Sequence, residues 1–192
     1  MDAKGNEIVM KKRKTMKRFL QITLILACSV FGAFAKDTLV VVNRGDSTLS
    51  IIDPVAMKVL ATIPTGAGPH EVVLSADGKT AIVSNYGEQS AGTTLSIIDI
   101  ESQKETKRFD ILPMYRPHGL VEVGGKVYFT AEVNNVIGRY DIAKEKLDWI
   151  VGTGQTASHM LAVTADQKRI YTANVAVDTV TALEFGNVPP AV

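Results

Sequence analysis

Residues 66–85 read GAGPHEVVLSADGKTAIVSN, and the same phrase returns along the chain. Two short runs rich in β-branched residues flank Ala-Asp-Gly-Lys. Asp-Gly between such runs signals a tight hairpin, because glycine tolerates the positive φ that the turn requires. Pro117-His118-Gly119 opens a second copy, RPHGLVEVGGKVYFTAE, and Ser158-His159 opens a third, SHMLAVTADQKRIYTAN. DTLVVVN, closing on Asn43, is the end of an earlier copy. Aligned on their ends, Asn43, Asn85, Glu132 and Asn174 fall 42, 47 and 42 residues apart. A second phrase keeps the same beat: LSIID to Asp53, LSIID to Asp99, IGRYD to Asp141 and VTALE to Glu184.

A period in the low forties with several short strands per unit defines an all-β repeat, and the blade of a β-propeller is the unit that fits. Leucine-rich repeats are shorter, and helical repeats need apolar spacings of three and four, which the chain lacks. With the strands of a four-stranded antiparallel blade lettered A to D from the axis outward, 38–42, 48–52 and 58–64 are B, C and D. A full set follows at 71–74, 80–84, 94–98 and 106–111, and another at 119–123, 127–131, 136–140 and 147–151. The last set, 160–163, 169–173 and 179–184, stops at C. The expectation is therefore fourteen strands in about three and a half blades, a fragment of a longer, seven-bladed ring. Its open edges would offer a contact for oligomers. Strand B is apolar on both faces, as Val40-Val41-Val42 shows, which suits a blade between two neighbours.

The repeated phrases resemble the YVTN-type β-propeller proteins, in which Gly-Pro-His and Asp-Gly-Lys precede a Tyr-Val-Thr-Asn-like strand and then a Ser-Ile-Ile-Asp strand. Tyr171-Thr172-Ala173-Asn174 and Ile82-Val83-Ser84-Asn85 lie closest to that signature, and the likeness spans residues 37–185. It implies the fold and leaves function open, because one fold carries many functions. Lactonases resembling 6-phosphogluconolactonase share the propeller type and use Arg, His and acidic residues around the channel. Related propellers also bind haem or quinone for electron transfer. These likenesses supply the alternatives to a binding or scaffold module.

Ahead of the repeats, Lys11-Lys12-Arg13-Lys14 and Lys17-Arg18 precede an apolar run over 19–35 that ends Ala33-Phe34-Ala35. A basic region, an apolar segment and an Ala-x-Ala end describe a secretory signal peptide cleaved after Ala35, giving a periplasmic or extracellular protein. The domains expected are an N-terminal extension and leader (1–35), the propeller (36–185) and a Pro-containing tail (186–192). Cys28, the single cysteine, falls in the leader, so the mature chain would hold no disulfide. Membrane attachment would come only through lipidation at Cys28 or an uncleaved leader. A net charge of +1 with no basic tract outside the leader gives no footprint for nucleic acid.

His70, His118 and His159 occupy one repeat position, where strand D of one blade leads into strand A of the next. All three are thereby expected near one mouth of the channel. Because inner strands of neighbouring blades stand further apart than paired strands, each imidazole is expected to bond a loop carbonyl rather than converge on a metal. Glu132 is a lone carboxylate where the aligned repeats have Asn. Tyr115 and Arg116 sit beside His118 in an extended loop, and Arg, Tyr and His together suit a small anion or a partner's acidic side chain. The ligand-binding candidates are thus His70, Tyr115, Arg116, His118, Glu132 and His159. Arg44-Gly45-Asp46 spells an adhesion tripeptide, but Tyr86-Gly87-Glu88 fills the same turn in the next repeat, so turn chemistry accounts for it. No nucleophile motif, phosphate loop or Cys/His cluster is present, so no catalytic residue, metal or cofactor is assigned. The partner expected is a protein or small molecule.

Overall fold

The structure, a computed structural model, describes residues 37–186, so the leader reading of 1–35 and nearly all of the tail lie outside the described residues. Among the described residues fourteen strands form four antiparallel sheets. The first holds β1 (Leu39–Asn43), β2 (Thr48–Asp53) and β3 (Lys58–Pro64). The second holds β4 (Pro69–Leu74), β5 (Thr80–Gly87), β6 (Ala91–Asp99) and β7 (Lys104–Asp110). The third holds β8 (Pro117–Val123), β9 (Lys126–Ala131), β10 (Val136–Asp141) and β11 (Lys146–Gly152), and the fourth β12 (Ser158–Val163), β13 (Arg169–Asn174) and β14 (Thr179–Glu184). These are blades of a partial propeller in which, among the described residues, the first has no strand A and the last no strand D, in line with the repeat phrasing. Along the axis β4 lies beside β1 and β8, and β8 beside β12.

Side chains on a strand alternate between faces, and each face of a middle blade fills a different inter-blade core. Ala81 and Val83 pack with Leu49 and Ile51 of the first blade, whereas Ile82 joins Val127 and Phe129 of the third. Tyr128, on the opposite face of β9, packs with Leu161 and Ile170 of the fourth. In the two middle blades strand B is buried on both faces, whereas β13 of the last blade is buried only at alternate residues.

Two local devices repeat. Strand C ends in a carboxylate that accepts from the turn after it: Asp53 from the amides of Val55 and Ala56, Asp99 from Ser102, Asp141 from Lys144. At the other end of the B–C pair an Asn amide clasps two hydroxyls of strand C. Asn43 donates to Thr48 and Ser50, Asn85 to Thr94 and Ser96, and Asn174 to Thr179 and Thr181. The third blade drops the clasp as a unit. Ala131, Val136 and Gly138 stand at those positions, and a Cβ on Gly138 would lie 2.3 Å from Cζ of Phe129, which fills the space.

This register corrects the alignment of Glu132. Pro69 pairs with Asn85, Pro117 with Ala131 and Ser158 with Asn174. Ala131 is therefore the counterpart of Asn, and Glu132 stands one residue later, level with Arg44, Tyr86 and Val175.

The third blade also buries charge. Arg139 Nε donates to Asp148 Oδ1 at 2.6 Å, and Lys126 Nζ bonds Asp148 at 2.8 Å and Asp141. The guanidinium lies over the rings of Tyr128 and Trp149. Burial works against the charge on Asp148, but Arg139 and Lys126 outweigh it and hold the carboxyl below its ordinary range.

Candidate functional site

Each inner strand starts with a bulge at the same place. Between Pro69 and Val72, β4 has one more residue than β5 opposite, and β8 and β12 repeat the irregularity at Pro117–Leu120 and Ser158–Leu161. A bulge re-aims side chains, and the residues that it holds begin with His70, His118 and His159 in turn. A hydroxyl from strand B satisfies the bulge and joins it to the next blade. Ser84 Oγ accepts from the Glu71 amide and donates to the His118 carbonyl at 2.9 Å. Thr130 Oγ1 accepts from the Gly119 amide and donates to the His159 carbonyl at 2.6 Å. The inner strands approach so closely that a Cβ on Gly119 would stand 2.8 Å from the His159 carbonyl oxygen.

Those bridges overturn the expectation that the imidazoles stay apart. His70 and His118 have ring centroids 4.1 Å apart and His118 and His159 3.6 Å apart, so the three rings form one stack across three blades. The expected imidazole-to-carbonyl bonds are replaced by the reverse pattern, in which the histidine's own carbonyl accepts from a hydroxyl. Nδ1 of His70 and Nδ1 of His118 are buried without a hydrogen-bond partner.

A second row of residues, each one past the Asn43, Asn85 and Ala131 positions of strand B, packs on this stack from the preceding blade. Arg44 Nη1 donates to His70 Nε2 at 3.4 Å, the Tyr86 ring meets His118 edge-on at 5.3 Å, and His159 Nδ1 donates to Glu132 Oε2 at 2.8 Å. The row is tied together as well, because Tyr86 Oη donates to Glu132 Oε1 at 3.0 Å. Arg116 lies over the Tyr86 ring at 4.6 Å and Arg44 at 5.9 Å. Neither guanidinium forms a salt bridge among the described residues, whereas both oxygens of Glu132 are engaged. His118 is pushed down to about 4, first by burial, then by charge on His159 and His70 and by Arg44, with Glu132 acting in the opposite sense.

Five of the six candidates read from the sequence thus meet: His70, Arg116, His118, Glu132 and His159. Tyr115 does not join them. Its amide donates to Asn134 Oδ1 at 2.7 Å, Asn134 Nδ2 donates to the Pro113 carbonyl, and its side chain is exposed. Arg44, Glu71 and Tyr86 enter the cluster without having been singled out as ligand residues. The signal was present one position past Asn43, Asn85, Ala131 and Asn174, where Arg44, Tyr86, Glu132 and Val175 all differ within an otherwise regular repeat.

A partial β-propeller with a histidine stack at the start of its inner strands is the class of protein that these elements define. A profile of the YNCE-like beta-propeller matches residues 20–188, and the chain belongs to that family. Among curated proteins none matches. Of solved structures, hydrazine synthase from Kuenenia stuttgartiensis aligns with a TM-score of 0.62 at 16% identity, over 81% of this chain and 53% of the other. A functionally unknown protein from Desulfotomaculum acetoxidans DSM 771 aligns with a TM-score of 0.62 at 17% identity, over 82% and 56%. The chain spans a little over half of either structure, and likeness at this identity concerns the fold alone.

Proposed function

We propose that this chain is an exported propeller of the YVTN type that works as a binding module, taking the anionic group of a small molecule or of a partner's acidic side chain at the mouth of the inner strands. One observation carries the reading: equivalent positions hold Arg44, Tyr86 and Glu132 against a row of like histidines. A purely structural repeat has no need of three different chemistries there, whereas a ligand does. Arg44 and Arg116, both close to the Tyr86 ring, supply positive charge that no carboxylate pairs among the described residues. Arg offers a planar fork that fits a carboxylate with two hydrogen bonds.

Succinate and citrate, titrated into the chelator-treated protein by calorimetry, test this. Saturable binding that weakens with salt and disappears in Arg44→Ala/Arg116→Ala is the expected result. Heats that the double variant reproduces would overturn it. Export is tested by the mass of the mature protein, which should begin at Lys36. Recovery from the cytoplasm with residues 1–35 attached would refute it.

A further inference from the structure

Glu71 follows His70 on the bulge of β4, whereas Gly119 and Met160 follow the other two histidines. Consecutive residues of an unbroken strand face opposite ways. The bulge breaks that alternation and leaves His70 Nδ1 3.6 Å from Glu71 Oε1. One ligand atom from each of His70, Glu71 and His118 lies within 4.8 Å of the other two. His118 is only 2% exposed, and its Nδ1, like that of His70, is buried without a hydrogen-bond partner. Buried nitrogens left unpaired are rare and call for an explanation.

We infer that His70, Glu71 and His118 form a binding site for a divalent first-row transition metal ion. Two imidazoles and one carboxylate are the donor set that zinc, copper and iron(II) accept, and three protein ligands leave a further position open to water or an anion. Zinc–ligand distances of about 2.0–2.1 Å imply a tetrahedral edge of about 3.3 Å. The His70–Glu71 pair already stands near that length, and a ring nitrogen of His118 lies within 4.8 Å of both.

Arg44 opposes occupancy. Its guanidinium can only donate, so its contact with His70 Nε2 makes that nitrogen the acceptor and places the imidazole proton on Nδ1. A metal at Nδ1 displaces that proton, Nε2 then carries one, and Arg44 must withdraw. The guanidinium also repels the ion.

The tag-free full chain, stripped with chelator, is titrated with Zn2+ by calorimetry and with Co2+ by visible absorption. One ion per chain is expected, with ligand-field bands showing nitrogen and oxygen donors. Glu71→Gln should weaken binding by more than the ~10–100-fold that an outer-sphere partner is worth. Arg44→Ala should tighten it, and both variants should keep the circular dichroism of the parent. Absence of saturable uptake overturns the site, and so does affinity that Glu71→Gln and Arg44→Ala leave where it was. The carboxylate titration is run without metal, so the two readings stand or fall separately.

Discussion

The Ser84 hydroxyl donates to the carbonyl of His118 in the next blade while accepting from the Glu71 amide of its own. A single side chain thereby satisfies two buried backbone groups and sets the gap between two inner strands. Thr130 does the same between the third and fourth blades. The spacing of the histidine stack follows from these bridges.

Ser84→Ala should accordingly lower stability by about 1–3 kcal/mol, the cost of leaving buried polar groups unpaired. Ser84→Thr should stay close to the parent, since Thr130 shows that a threonine fits the role. Urea unfolding of the two variants checks this. Equal losses in both would mean that the position is governed by packing and not by the hydroxyl.

The stack makes stability depend on pH. His118 has a folded value of about 4 against an ordinary 6.5. Above pH 6.5 the ring is neutral both folded and unfolded, and its contribution is fully present. As pH falls from 6.5 towards 4 only the unfolded chain takes up the proton, so stability is lost across that window, by roughly 3 kcal/mol in all. The groups facing the ring, His70, His159, Arg44 and Glu132, are part of that cost. Denaturant midpoints of the metal-free protein at about pH 7, 5.5 and 4 should fall steadily, and His118→Asn should flatten the profile. A midpoint independent of pH across this range would contradict a buried neutral imidazole.

Strand order and blade count were legible because hairpin glycines, the Asp after strand C and the low-forties period are local signals that recur. The candidate site was legible only in part. His70, His118 and His159 share a repeat position, which a sequence displays, but their convergence depends on a bulge and a hydroxyl bridge between blades. Neither leaves a mark distinct from ordinary Ser and Thr. The Glu132 alignment slipped for a related reason. The third blade replaces Asn, Thr and Ser together by Ala131, Val136 and Gly138, so the residue that anchors the register was missing there.

Arg139 and Asp148 present a charged pair inside an apolar interface. Removing one partner of a buried pair costs more than removing both. Asp148→Ala is expected to destabilise by about 3–5 kcal/mol, whereas Arg139→Met with Asp148→Leu should lie within about 1 kcal/mol of the parent. A double-mutant cycle in urea measures the coupling. Additive losses would show that the pair is not coupled through its burial.

The fourth blade presents to solvent the face that the third blade buries. Tyr128 and Ile137 are 0% exposed, whereas Tyr171 and Val180 at the same repeat positions are 39% and 70% exposed, beside exposed Val175 and Val177. The strand pattern agrees, since β10 is buried almost throughout and β14 is open along its length. No blade of the described chain covers this face. At about 25 cal/mol per Å² of apolar surface, covering it with a second copy would outweigh much of the marginal stability of a typical domain. The purified chain is therefore expected to self-associate at micromolar concentration. Light scattering after size exclusion should give a mass above that of one chain, and Tyr171→Lys with Val180→Lys should return it to a single copy without loss of strand signal. A parent protein that runs as a monodisperse monomer, with the same mass as the double variant, would mean that this face is stable in water as it stands.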